Sequence, residues 1–469
     1  MTGYTSNFSD IDRLFHPRGV AIVGASKKNN NQGKMFLDAM NNPRFKGDLY
    51  VIHPTEKVKG FKSYHNLMDV PGPVDHAILS VPAAVTADVI SDCGKKGVRS
   101  AALFTSGFAE EGTAEGIEMQ NRLVETARKG GVRLIGPNCM GLYCPSTGLN
   151  FRHDFPMREG HIGFIAQSGG ICMTGIFIAD NKRLGFSKAI SYGNESDLGG
   201  EELLAYLADD PETEVILLYV EGVRDGAKFL KALKYANSKK PVVMLKGGIT
   251  STGTKAASSH TGAIAGSSEM WKAAAKQAGV PIVPSMDELF DAAQVFSRLE
   301  KPAGKRLGLI TISGGFGVFA TDVLAEAGLE MPYFTPKTAQ ILTDLIKRPG
   351  TSVKNPVDMA TTFFQLKKYP EIFNSLDADE NVDFFVALLA IEYLTYLEEE
   401  LHGWAFVFVD HLIKAFKEMK KPVAVVFFHT ILNDKRLELE KKFMDAGFPV
   451  FPTVERCAHA LVRRIDGGK

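Results

Sequence analysis

Apolar runs alternate with longer helix-like stretches along the whole chain, and each run stops in small residues, a proline or a hydroxyl. The first group occupies residues 19–26, 48–54, 76–82, 100–108 and 133–138. Runs that stay apolar at every position are strands buried on both faces, and helices between them make the sheet parallel. Ligands of such sheets bind at the carboxyl ends of the strands. Here those ends carry Gly24-Ala25-Ser26, Pro54, Val81-Pro82, Ser106-Gly107 and Asn138, with Gly33 closing the first loop. That loop does not read Gly-x-Gly-x-x-Gly, and the second run ends in His53-Pro54 where a ribose-binding acid would stand. A nicotinamide cofactor is therefore disfavoured. A nucleotide-bearing ligand whose phosphates meet the first loop fits better; the plainer alternative is a set of ordinary tight turns.

The pattern then repeats. Residues 143–160 are polar, turn-rich and without a period, which marks a connection. Strand-like runs resume at 161–166, 186–192, 215–220 and 241–245, and a short run at 280–283 closes the set. A second connection at 297–305 precedes runs at 306–312, 384–391, 423–428 and 448–451. A length of 469 residues agrees with three domains at ~150 residues each. Lys354-Asn355-Pro356-Val357-Asp358 reads as a polar turn, and Phe363, Phe364, Phe384 and Phe385 as core.

Two later junctions share one design. Gln167-Ser168-Gly169-Gly170 and Ser313-Gly314-Gly315-Phe316-Gly317 each follow a strand and open a helix-like stretch. Free N–H groups and the helix dipole at such a turn favour an anion, and Ser168 also suits a plain helix cap. Glu221 follows the run Tyr219-Val220 directly, placed either to orient a histidine or to sit exposed at a turn. Ser258-Ser259-His260-Thr261-Gly262 sets one histidine among small and hydroxylated residues. A glycine-flanked imidazole can take and release a phosphoryl group; the other reading is an ordinary surface loop.

Charge and cysteines narrow the classes. Lys+Arg and Asp+Glu number 54 each, which gives no polyanion track and argues against nucleic acid. No apolar run approaches the ~18 residues of a membrane span, and the first residues lack signal-peptide character. The five cysteines show no Cys-x-x-Cys pairing, and the eleven histidines no His-Glu-x-x-His spacing. The expectation is a reduced, cytoplasmic protein without a metal site.

Taken in order, the motifs resemble the α subunit of the ADP-forming acetate–CoA ligases (NDP-forming acyl-CoA synthetases), relatives of succinyl-CoA synthetase. The resemblance runs over nearly the whole chain. It is carried by the Gly24-Ala25-Ser26 turn, Val81-Pro82-Ala83, Ser106-Gly107-Phe108-Ala109-Glu110, Ile135-Gly136-Pro137-Asn138, Gln167-Ser168-Gly169, Gly193-Asn194, Tyr219-Val220-Glu221-Gly222, Lys246, the His260 motif, Gly314-Gly315-Phe316-Gly317 and Asn355-Pro356-Val357-Asp358.

The resemblance implies an α/β protein: a Rossmann-like CoA-binding domain at 1–142, a succinyl-CoA synthetase-like domain with the phosphohistidine loop at 155–298, and a second flavodoxin-like domain at 304–469. It implies that His260 is phosphorylated and that Glu221 holds its reactive tautomer. Ser168, Gly169, Gly170, Ser259, Gly262, Gly314, Gly315 and Gly317 would bind phosphate. Gly24, Ala25, Ser26, Gly33, Pro54, Val81, Pro82, Ser106, Gly107 and Asn138 would hold coenzyme A. Phosphate attacks the acyl thioester, His260 takes the phosphoryl group from the acyl phosphate, and ADP receives it; acetate or another short carboxylic acid is released. The family's ADP or ATP and Mg2+ lie on an ATP-grasp region of ~200 residues. The chain stops at Lys469 without one, so a separate β subunit in an α2β2 assembly is expected. Where the family has Asn-Pro-Lys this chain has His53-Pro54-Thr55, leaving Lys57 or Lys59 to replace the lysine. The acidic run after Gly193-Asn194 is thinner, as Glu195-Ser196-Asp197. The alternative is a CoA-binding regulatory protein of the same fold without turnover.

Overall fold

The computed structural model describes residues 8–28, 30–250, 252–253, 266–346, 351–390, 392, 403–428 and 433–467. The chain divides into two compact units, residues 1–289 and 290–468.

The first unit holds two sheets. In the first, β1 (Gly19–Val23), β2 (Asp48–Ile52), β3 (Lys62–Tyr64), β4 (His76–Leu79), β5 (Ser100–Leu103) and β6 (Arg133–Ile135) are ordered β3-β2-β1-β4-β5-β6. All neighbours are parallel. β1, β4 and β5 are buried at every residue, as their unbroken apolar runs require. Strand order reverses between β1 and β4, and the crevice opens beyond their carboxyl ends.

The second sheet comprises β7 (Gly141–Tyr143), β8 (Glu159–Ala166), β9 (Phe186–Ser191), β10 (Val215–Val220), β11 (Val242–Lys246) and β12 (Ile282–Val283). Its order is β12-β11-β10-β8-β9-β7, with β7 antiparallel to β9. The stretch 143–160, read from sequence as a connection, therefore begins inside a strand. Arg133 on β6 joins the two sheets: its Nε meets Asp197 Oδ2 at 2.9 Å and its NH2 meets Glu202 Oε1 at 2.9 Å. Backbone bonds from Ser196 to Gly136 and from Leu198 to Leu134 tighten the same seam. The N-terminal helix and turn, residues 8–15, also reach the second sheet's layer. Phe15 stacks on Tyr206 at 5.4 Å, and the Tyr206 hydroxyl donates to Asp12.

In the second unit β13 (Leu307–Thr311), β14 (Val357–Asp358), β15 (Phe384–Leu389), β16 (Val423–Phe427) and β17 (Val450–Phe451) form a parallel sheet ordered β14-β13-β15-β16-β17. β15 buries Phe385 in one core layer and Phe384 in the other. Phe363 is buried with Phe385, and Phe364 packs half-buried against them. The helix Met286–Arg298 crosses the unit boundary. Its later residues are tied to the third sheet, with the Gln294 amide donating to Val450 O and accepting from Val450 N. Residues 290–298 thus pack with the third sheet, where the sequence had grouped them with the second. Asn355-Pro356-Val357-Asp358 extends the sheet as an edge strand instead of a plain turn. The Asn355 side chain bonds both Leu307 O and Leu309 N of β13, so a polar residue takes the place of strand pairing.

Candidate active site

The loop after β1 is built by Asn31. Its Oδ1 accepts from Ser26 N and, as the cap of the helix Gln32–Met40, from Lys34 N; its Nδ2 donates to Gly24 O. Gly24 has φ +95°, and a Cβ there would lie 2.2 Å from Ser80 O. Gly33 lets the helix press on the loop: a Cβ would stand 2.7 Å from Ala25 N. Ala25 and Ser26 are buried inside the loop. Gly107 N donates to the Glu110 carboxylate. The first loop and its surroundings thus contain residues that shape the crevice and residues that line it.

Two cavities meet at Pro82. The smaller, about 520 Å³, is lined by Gly24, Pro54, Val81 and Pro82 together with His53 and His65. His53 Nδ1 accepts from Glu56 N at 2.9 Å, and His65 Nδ1 donates to Pro54 O at 2.9 Å. Lys57 and Lys59 are exposed and line neither cavity. The larger cavity, about 880 Å³, takes Val81, Pro82, Ser106 and Asn138 from the first sheet. Its opposite wall is Gln167, Ser168, Gly169, Gly170 and Glu221 from the second. Parallel strands explain the convergence, since β8 and β10 are adjacent and end on the same edge.

On that wall the helix Gly169–Asn181 begins at Ser168, whose Oγ accepts from Ile171 N at 3.4 Å. The Gly169 and Gly170 N–H groups belong to the first turn, which has no intrahelical acceptors, and the dipole adds positive potential there. Glu221 is held on three sides. Its carboxylate accepts from the Tyr219 hydroxyl at 2.9 Å, its N–H donates to Gln167 Oε1 at 2.6 Å, and its carbonyl accepts from Lys246 Nζ at 2.7 Å. Lys246 also donates to Gly247 O and lies 5.0 Å over the Trp271 ring. Burial pushes this ammonium down to about 8, against the pull of Glu221. Burial, then the Glu221 charge, drives the Tyr219 hydroxyl well above its ordinary value.

Ser259, His260 and Gly262 lie outside the described residues. Gly314, Gly315 and Gly317 open the helix Gly314–Glu326 in the second unit. Of the thinner acidic run, Asp197 is taken up by Arg133 and Leu134 N, and Glu195 is buried, its Oε1 accepting from Gly200 N. Burial, reinforced by Glu201, raises the Glu195 carboxyl to about 7. These acids serve the seam between the sheets. Sequence reasoning missed Asn31, Gln167's amide and the Tyr219 hydroxyl. The signal for Asn31 was present, as an Asn directly before a helix is a cap. Among the described residues no three His, Cys, Asp or Glu side chains gather as metal ligands.

Comparison with known proteins agrees with this geometry. A family model described as a CoA binding domain matches residues 18–145, and one described as a succinyl-CoA ligase like flavodoxin domain matches 159–296. A CoA-binding layer followed by a succinyl-CoA ligase-like layer is the class that fold and cleft define. The α subunit of acetate–CoA ligase (ADP-forming) II from Pyrococcus furiosus is 35% identical, over 98% of this chain and 99% of its own. The α subunit of ligase I from the same organism is 33% identical over 96% of each. The dinucleotide-forming acetyl-coenzyme A synthetase 1 of Ca. Korarchaeum cryptofilum, solved with phosphate and ADP, superposes with a TM-score of 0.83 at 31% identity, over 97% of this chain and 96% of that one. This chain belongs to the family of ADP-forming acetate–CoA ligase α subunits.

Proposed function

We propose that the chain is the α subunit of an ADP-forming acyl-CoA synthetase, interconverting acyl-CoA, phosphate and ADP with carboxylate, CoA and ATP. The observation that carries this reading is the larger cleft, where a helix N-terminus and a braced Glu221 face the CoA-side strand ends across one cavity.

The chemistry proceeds in three displacements. A phosphate oxygen attacks the thioester carbonyl; the C–O bond forms, the C–S bond breaks, and CoA leaves as a thiolate that takes a proton. The phosphoryl group of the acyl phosphate then passes to an imidazole nitrogen of His260, and the carboxylate departs with the P–O bond electrons. Finally an ADP oxygen takes the phosphoryl group from the nitrogen. Every step trades one activated bond for another, so positioning and charge stabilisation are the protein's contribution. The first-turn N–H groups of Gly169 and Gly170 are aimed to take up phosphoryl charge. Glu221, accepting a hydrogen bond from one imidazole nitrogen, leaves the other nitrogen's lone pair to attack. Gly314, Gly315 and Gly317, at the start of a helix in the second unit, are proposed to bind phosphate. The smaller cavity, with Gly24, Pro54, Val81 and Pro82, suits the CoA nucleotide end. Its fit is a two-part wall, apolar from Val81 and Pro82 and polar from the imidazoles of His53 and His65.

Nucleotide and Mg2+ belong on a β subunit with an ATP-grasp fold, in an α2β2 enzyme, and acetate or another short acid is the acyl group. Five buried, unpaired cysteines suit a reducing cytoplasm, and no described helix is long and apolar enough to cross a membrane. The test is acid-labile phosphate and intact mass after adding acetyl-CoA and phosphate, with His260→Ala as control. Label on the wild type and none on the variant is expected. No label from any acyl-CoA, with a β partner present, would leave only a CoA-binding protein.

A further inference from the structure

Gln167 is joined to the end of β10 more tightly than a turn residue needs to be. Its backbone N–H donates to Tyr219 O at 3.1 Å. Its side-chain Oε1 accepts twice, from Glu221 N at 2.6 Å and from Gly222 N at 3.1 Å. Those two bonds fix which end of the amide is oxygen, since only oxygen can accept from both. The other end, Nε2, is buried and has no hydrogen-bond partner among the described residues. The whole side chain is 3% exposed and stands in the wall of the larger cleft, beside the start of the Gly169–Asn181 helix.

A buried donor left unmade is costly, and native interiors rarely leave one without a use. Apolar isosteres such as Met would avoid the orphan amide but strand the Glu221 and Gly222 N–H groups. A Glu would satisfy both N–H groups and set a second carboxylate oxygen in the wall. Glutamine alone braces the turn with one end and keeps a neutral donor at the other. The acceptor that completes it has to be an oxygen-rich group brought to the helix N-terminus.

We propose that Gln167 is a substrate-contacting and positioning residue: Oε1 sets the turn that carries Glu221, and Nε2 donates to an oxygen of the phosphate or transferring phosphoryl group. This rests on the proposed function and adds a side-chain donor to the backbone ones of Gly169 and Gly170. It also predicts an asymmetry between two near-isosteric replacements. Gln167→Glu keeps the acceptor and turns the donor into an oxygen facing the anion; Gln167→Met removes both ends.

The test is titration calorimetry of the full chain with inorganic phosphate, alongside thermal melting and exchange of the Glu221 and Gly222 amides. Expected is at least a tenfold loss of phosphate affinity in Gln167→Glu with melting and amide exchange as in wild type. Gln167→Met should lose a similar factor and also exchange those amides faster. Phosphate binding within twofold of wild type in Gln167→Glu overturns the proposal. If that variant does not fold, unchanged phosphate affinity in Gln167→Met overturns it instead. A wild type that binds no phosphate overturns it too. A wild type that binds phosphate yet never becomes labelled from any acyl-CoA sinks the ligase reading alone, and the tenfold loss in Gln167→Glu then still supports the contact.

Discussion

At Gln167–Gly170 a strand ends, a serine follows and a helix begins on two glycines; at Ile312–Gly315 the same order of residue types recurs in the second unit. The finish differs. Ser168 Oγ caps its helix, whereas Ser313 makes no side-chain cap, and its N–H donates instead to Thr311 Oγ1 at 3.1 Å. The strand beside the first junction delivers Glu221, turned through Gln167 so that amide and carboxylate share the cleft wall. The strand beside the second delivers Asp358, whose Oδ2 lies 3.1 Å from where a Gly314 Cβ would stand. Burial raises the Asp358 carboxyl above its ordinary value, against the hydrogen bond it accepts from Ala360 N. The first helix begins against a cleft; the second carries Val318 at 69% and Phe319 at 47% exposure near its start. A strand–Ser–Gly-Gly–helix pattern therefore specifies a turn, and the neighbouring strand decides what that turn meets.

The comparison breaks most readily at the two acids. Glu221→Gln is expected to cut phosphohistidine formation by ~100-fold or more, the scale of a lost proton-handling group. Asp358→Asn should leave it within a few-fold, because Asp358 does not line the cleft that holds Glu221; acid-labile phosphate measured side by side decides. An equal collapse in both variants would make the junctions equivalent. The next effect is set by pH. Lys246 is charged below about 8 and neutral above, and it braces only the first junction. Turnover is expected to decline as pH rises through that value, by up to ~10-fold. In Lys246→Arg, which stays charged, the alkaline limb should move upward; a limb that stays put assigns it to another group. Smallest are the caps. Ser168→Ala should cost ~1 kcal/mol, the usual loss of a serine cap, and Ser313→Ala a few tenths at most, read from the unfolding of each variant. Equal losses would mean that the difference in capping has no energetic weight.

Much of this architecture was open to a reader of the sequence, because doubly buried strands leave long apolar runs. β1, β4, β5, β10, β15 and β16 are such runs. The strands that escaped reading are β3, β7 and β14, of two or three residues at sheet edges. Too short for a period, they form because the neighbouring edge needs a partner. Val81, Pro82, Ser106, Asn138, Ser168 and Glu221 were legible one by one as strand ends, but their meeting on one cleft was not. Nor was the donor role proposed for Gln167, since it depends on a turn 54 residues away. Lys57 and Lys59, offered as replacements for the missing lysine, point elsewhere because the chain after Pro54 runs on the surface. Ser259 and His260, the residues on which the proposed chemistry depends, fall outside the described part of the chain.

β7 has a consequence for how this protein can be taken apart or inherited. By position it trails the CoA-side sheet, yet its hydrogen bonds run to β9 in the other. The hairpin that follows folds back at once, Cys144 pairing with Leu149. A gene exchange that swapped the first sheet at residue 142 would tear an edge from the second and strand Arg133 without Asp197 and Glu202. The two sheets behave as one piece of hardware, and any splice or exchange has to carry both layers together.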